Sequence, residues 1–151
     1  MDTFFKEYYE LLSGLHNGFE AAVEGLPVEA LDWSPGGEMN SIAVLMAHTA
    51  GSERYWIGEV AGEDPANRVR SEEFNTKGAT AEELQQLSQR TLAHSRAVLS
   101  RLSEDELAEA RNAPAQGRNV TVAYALLHSL EHTAGHLGHA QVVRDLWDLA
   151  H

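Results

Sequence analysis

The chain has no cysteine among its 151 residues. Disulfides, thiolate metal sites and iron–sulfur clusters are therefore excluded, and any metal must be held by nitrogen and oxygen. No apolar run approaches the roughly 20 residues needed to cross a bilayer. The opening MDTFFKEYYELL carries charges where a secretory signal would be apolar. A single domain over residues 1–151, soluble and cytoplasmic, is expected. Cations are scarce, with 11 Lys and Arg against 23 Asp and Glu and a formal net charge of -12. Such a surface repels phosphate backbones and anionic bilayers, so neither nucleic acid nor a membrane is an expected partner. Internal repeats, low-complexity tracts and convincing strand patterns are also missing.

Helical periodicity is present instead. From Thr3 to about Glu24, apolar residues including Phe4, Phe5, Tyr8, Leu11, Leu12, Leu15 and Phe19 recur at three and four, the spacing of an amphipathic helix. Gly25 and Pro27 supply its stop. Leu26 to Gly37 reads as a connector, with Trp33 as a loop anchor. A second helix starts at Asn40 or Ser41 and runs to about Val60, with Ile42, Leu45, His48, Thr49, Ser52, Tyr55 and Trp56 facing inward. Tyr55 and Trp56 read as core and pocket wall. Gly62 to Gly78 is polar and reads as a long surface connection, a spanning crossover in preference to a binding mouth. Thr80 with Glu83 forms a capping box that opens a third helix. Ser103 with Glu106 marks a short helical turn before a polar linker at Ala113–Gly117, and a last helix runs from Asn119 or Thr121 to about Leu149. Four long helices without strands predict an all-α four-helix bundle with a long crossover connection.

The last helix carries the chemistry. Between Ala125 and Gln141 lie His128, His132, His136 and His139, half of the chain's eight histidines. Helical residues four apart differ by about 6 Å along the axis and about 40° around it, so two such imidazoles can meet on one ion. His128 and His136 are about 12 Å apart by the same arithmetic and cannot share one directly. The pairs His128/His132, His132/His136 and His136/His139 all stay open, and each needs a further ligand. His48, alone on an apolar stripe of the second helix, is the candidate. As packing alone, four inward imidazoles would each need partners, and an unpartnered one costs on the order of 1–3 kcal/mol. Glu53 and His128 are candidates to orient the ligands from behind, although Glu53 reads first as a solvated helix position. His16 and His94 read as surface residues. Gly135 and Gly138, poor helix formers, suggest close packing or access to the site.

Two stretches carry a family resemblance. LDWSPGGEMNSIAVLMAHTAGSERYWIGEV, Leu31 to Val60, and LLHSLEHTAGHLGHAQVVRDLW, Leu126 to Trp147, resemble the two signatures of the DinB/YfiT-like superfamily. They cover about a third of the chain. The resemblance implies a four-helix bundle, a homodimer, and a divalent metal, most often zinc or nickel with iron or manganese as further options, held by His48, His132 and His136. It also implies a metal-dependent thiol S-transferase of the bacillithiol or mycothiol type, or a related detoxifying enzyme or hydrolase, acting on a small-molecule substrate with a low-molecular-weight thiol. The alternative is a non-enzymatic metal- or ligand-binding bundle associated with stress. Many members have Arg-Gly-Gln after the second helical histidine, where this chain has Leu137-Gly138-His139. His139 is therefore a candidate general base or pocket-lining group.

Overall fold

A computed structural model describes residues 1–151. Helix α1 (Thr3–Val23) buries Phe5, Tyr8, Leu12, His16, Phe19, Ala22 and Val23 on one face. It stops at Gly25, whose φ of 72° is the left-handed conformation that glycine adopts without strain. One turn, α2 (Val28–Leu31), follows Pro27. Helix α3 (Ile42–Glu53) is capped by Ser41, whose Oγ accepts from the Val44 amide at 3.3 Å. Helix α5 (Ala81–Leu99) opens with the expected capping box: the Glu83 amide donates to Thr80 Oγ1 at 3.2 Å, and the Thr80 amide to the Glu83 carboxylate at 2.8 Å. Helix α6 (Val122–Ala150) is capped by Thr121. A single turn, α4 (Arg70–Glu73), lies in the connection between α3 and α5.

The bundle is cyclic in the order α1, α5, α3, α6: α1 and α3 each pack against both α5 and α6. The second long helix departs from regularity at its C-terminal half. Arg54–Ala61 is π-helical, with one extra residue per turn, and both Tyr55–Trp56–Ile57 and Val60–Ala61 turn inward. Helix α5 crosses close to this segment: a Cβ at Gly62 would clash with the Val98 side chain, at 2.5 Å.

The bundle also carries a small hairpin where the sequence pattern predicts no strand. β1 (Ala110–Ala113) pairs antiparallel with β2 (Arg118–Thr121), Ala110 opposite Thr121. Strands of four residues that bury only Ala113 and Val120 leave no readable alternation. The turn expected at Ser103 is present as a 3-10 segment, Glu104–Ala108.

The core is divided. One apolar cluster holds Phe5, Leu12, Trp56, Leu99 and Leu126, and another holds Phe19, Leu31, Ile42, Leu45 and Leu137. Between them runs a polar belt. His16 Nδ1 is 2.8 Å from Ser88 Oγ and its Nε2 is 2.8 Å from Glu53 Oε2, while Ser95 Oγ donates to Glu53 Oε1 at 2.5 Å. His16 and Glu53 are 3% and 1% exposed, which corrects both readings as solvent-facing. His16 follows Leu12 by four and precedes Phe19 by three, so it lies on the buried stripe despite its polarity. Glu53 is drawn inward because α1 and α5 bring it partners. His94 is only partly exposed, held in a cluster with Asp64 (2.8 Å) and Arg54.

Candidate metal centre

Helices α3 and α6 pack together in the bundle, which brings His48 opposite the helical histidines. Its Nε2 lies 3.1 Å from His132 Nε2, and His136 Nε2 lies 3.1 Å from the same atom. One nitrogen from each of the three converges within 4.8 Å. Of the pairs that helical spacing left open, the fold brings His132 and His136 to His48. His128 is turned aside, its ring 4.7 Å from Trp56 and parallel to Tyr124 at 5.7 Å. It supports no ligand; its Nδ1 is 3.8 Å from Glu131. Glu53 bonds to His16 and Ser95 instead. Neither residue orients the cluster from behind.

That place is taken by residues from the polar connection. His48 Nδ1 donates to Glu73 Oε2 at 2.9 Å, and Arg68 grips the same carboxylate through Nε (2.5 Å) and Nη2 (2.9 Å). Glu73, on α4, is 9% exposed. The segment expected to be a spanning crossover therefore turns part of itself into a wall of the site. Gly51 on α3 makes the approach possible, since a Cβ there would fall on the Glu73 carboxylate and within 3.2 Å of Arg68 Nε. Phe74 lays its ring 4.9 Å from that of His48, and the Arg70 guanidinium lies over the Phe74 ring, 4.8 Å from its centroid. Sequence offered no signal separating Glu73 from its neighbour Glu72, because four-residue α4 shows no periodicity.

An ionised Glu73 only accepts, so His48 carries its proton on Nδ1 and turns a bare Nε2 lone pair into the cluster. His132 Nε2 has two neighbours at 3.1 Å, yet a neutral ring offers there either one proton or one lone pair. No set of neutral tautomers satisfies both contacts, whereas a cation at the centre satisfies all three nitrogens. Two of the three separations, 3.1 Å each, match such an ion: nitrogens about 2.0–2.1 Å from a tetrahedral zinc would stand about 3.3 Å apart. Burial pulls the imidazoles toward their neutral, ligating form. His132 is lowered to about 3 and His136 to about 4, by desolvation first and then by neighbouring imidazoles. His48 is lowered by desolvation, partly opposed by Glu73. The Nδ1 atoms of His132 and His136 are buried without protein partners, so only His48 is locked from behind.

His139 is exposed on α6, its ring 5.5 Å from that of His136. It lines a cavity of about 330 Å³ with Met39, Leu45, Val142 and Val143. Gly135 and Gly138 face open space, so they serve no close packing. Tyr55 and Trp56 are only 5% and 4% exposed, Tyr55 as core and Trp56 as the surface against which His128 rests.

A helical bundle with three converging histidines is thus the class that fold and site define. The chain belongs to the Mycothiol-S-transferase family, whose sequence pattern matches residues 9–149. It falls within the DinB/YfiT-like superfamily. No curated protein sequence matches it. Among solved structures, YfiT from Bacillus subtilis, described as a probable metal-dependent hydrolase with an unusual four-helix bundle topology, superposes with a TM-score of 0.77 at 16% identity, covering 98% of this chain and 90% of its own. A conserved protein from Enterococcus faecalis gives 0.75 at 19% identity, covering 97% of each chain. The mycothiol-dependent maleylpyruvate isomerase gives 0.68 at 18% identity over 93% of this chain and 63% of its own. At these identities the likeness concerns the fold.

Proposed function

We propose that the protein is a metal-dependent thiol S-transferase that joins a low-molecular-weight thiol, mycothiol being the family's namesake, to an electrophilic small molecule. The observation that carries this reading is the convergence of His48, His132 and His136 nitrogens within 4.8 Å, with His48 fixed by Glu73. These three residues would hold one divalent ion, and three imidazole ligands leave it an open position. When bound, the ion acts as a Lewis acid that lowers the pKa of an incoming thiol.

The chain's own residues supply the rest. Glu73 and Arg68 keep the His48 ring in its ligating tautomer. His139, beside the cluster and open to the cavity, accepts the thiol proton. The sulfur then forms its bond to the electrophilic carbon, and the leaving group departs with the bonding electron pair. Phe74 shields the His48 side of the cluster from water.

Metal content measured by mass spectrometry, on protein purified without a nickel column, tests the reading. Wild type is expected to hold about one ion per chain, and His48→Ala and His132→Ala to lose it. Turnover of thiol with electrophile should be lost in the same variants. His139→Ala should keep the ion and lose rate by about 10²–10⁴-fold. Absence of metal after reconstitution with zinc, nickel, iron or manganese would refute it.

A further inference from the structure

The cavity of about 330 Å³ that His139 lines is apolar where it matters. Met39, Leu45, Val142 and Val143 form its walls, Asn40 and Glu38 its rim. Met39 and Val142 are 50% and 51% exposed, so this apolar surface is open to solvent rather than sealed in the core. His139 also lines it, with its ring 5.5 Å from that of His136. A second cavity, of about 520 Å³, shares Met39 and Asn40 with the first. That one is polar, lined by Asp32, Ser34, Ser41, Thr76 and Lys77, and it ends on Phe74, whose ring lies against His48. Two cavities of opposite character thus adjoin each other. The hydroxyl- and amine-lined seat suits the polar body of a thiol cofactor, which leaves the apolar cleft for the other reactant.

Size and charge narrow that reactant further. A cavity of about 150 Å³ holds benzene, so the apolar cleft takes roughly two fused rings. The one charged side chain lining it is the Glu38 carboxylate, set in a chain of net charge -12; an anionic molecule would be repelled there.

We propose that the cleft between Met39, Leu45 and Val142 seats the electrophile, and that it selects an uncharged, largely hydrocarbon or aromatic molecule of about two-ring size with its reacting carbon toward His139. This rests on the transferase reading for what the bound molecule undergoes, but binding in the cleft requires no ion.

The test uses metal-free full-length protein and saturation-transfer NMR with two unreactive probes of one shape, coumarin and coumarin-3-carboxylate. Wild type is expected to bind coumarin and to bind the carboxylate at least tenfold more weakly. Val142→Asp, a change at a half-exposed helix position that should leave the helical circular dichroism intact, is expected to weaken coumarin at least tenfold. Equal binding of the two probes, no binding of coumarin by wild type, or unchanged binding by Val142→Asp would overturn the proposal. So would sedimentation showing a wild-type dimer that Val142→Asp splits into monomers, because a second copy would then be what covers the cleft. A protein that takes up no metal on reconstitution yet binds coumarin through Val142 would sink the transferase reading and leave the cleft; a protein that loads metal but binds neither probe would do the reverse.

Discussion

Replacing Glu73 by Gln should weaken metal binding while leaving all three ligands in place. The carboxylate accepts from His48 Nδ1 at 2.9 Å and from Arg68 at 2.5 and 2.9 Å, so it fixes both the ring orientation and the tautomer that frees Nε2. A neutral amide can present its oxygen to His48 or to Arg68, but it brings no charge, and its NH₂ group would face a donor. Loss of such a supporting partner costs about 10–100-fold in metal affinity, or about 1.4–2.8 kcal/mol. Arg68 loses its counter-ion too, but its side chain is 16% exposed at the edge of the site and water replaces part of the pairing. The expected stability loss of the metal-free protein is therefore the smaller effect, about 1–2 kcal/mol. The assay is competition for zinc against a chromophoric chelator, with urea unfolding of the metal-free protein alongside. Glu72→Gln, at an exposed neighbour, should change neither. Zinc affinity of Glu73→Gln within twofold of wild type would refute the view that the connection between α3 and α5 is part of the metal centre.

The long helices and the Thr80 cap are legible because each is a local event, a side-chain oxygen meeting an amide three residues on with apolar residues spaced by three and four; Ser41 and Thr121 are each one of two candidate caps, and the structure selects them over Asn40 and Asn119. The histidines of α6 were legible as candidates, since helical spacing alone brings His132 to His136. Choosing that pair over His128/His132 was beyond spacing, because the choice depends on where α3 places His48; the family resemblance supplied it. Glu73 and Arg68 were not legible at all. They reach the site through a chain path whose shape is set by tertiary packing, and by Gly51 leaving room for a carboxylate. The buried pairing of His16 with Glu53 was misread for a related reason: 37 residues separate the two, and each looks solvent-facing until the other is opposite. The π-helical stretch at Arg54–Ala61 likewise follows from packing rather than from any local sequence mark.

Gly51→Ala should mimic Glu73→Gln, because the added methyl occupies the position of the Glu73 carboxylate; zinc competition should show a loss of about tenfold or more, although no ligand or charge has been removed. Glu53→Ala should destabilise the fold by about 3–5 kcal/mol, since it leaves His16 and Ser95 buried without their acceptor; the readout is urea unfolding. Acidification should weaken the metal-free protein in a defined window. His132 and His136 have folded pKa values near 3 and 4, below the unfolded imidazole value of about 6.5, so the unfolded chain binds more protons between these limits. Their contribution is full above about pH 6.5 and is lost as pH falls through about 4; His132→Leu with His136→Leu should flatten this part of the stability profile. Removing the ion should leave the bundle folded. The belt that joins α1, α3 and α5 closes through His16, Ser88, Glu53 and Ser95 without any metal, and the apolar clusters on either side of it include no ligand histidine. Chelation should then lower the melting temperature only by the linkage that any bound ligand contributes, with far-ultraviolet circular dichroism unchanged at 25 °C. Loss of helicity on chelation would mean that the ion holds the fold together, which is the behaviour of a structural site and would count against an open, reactive one.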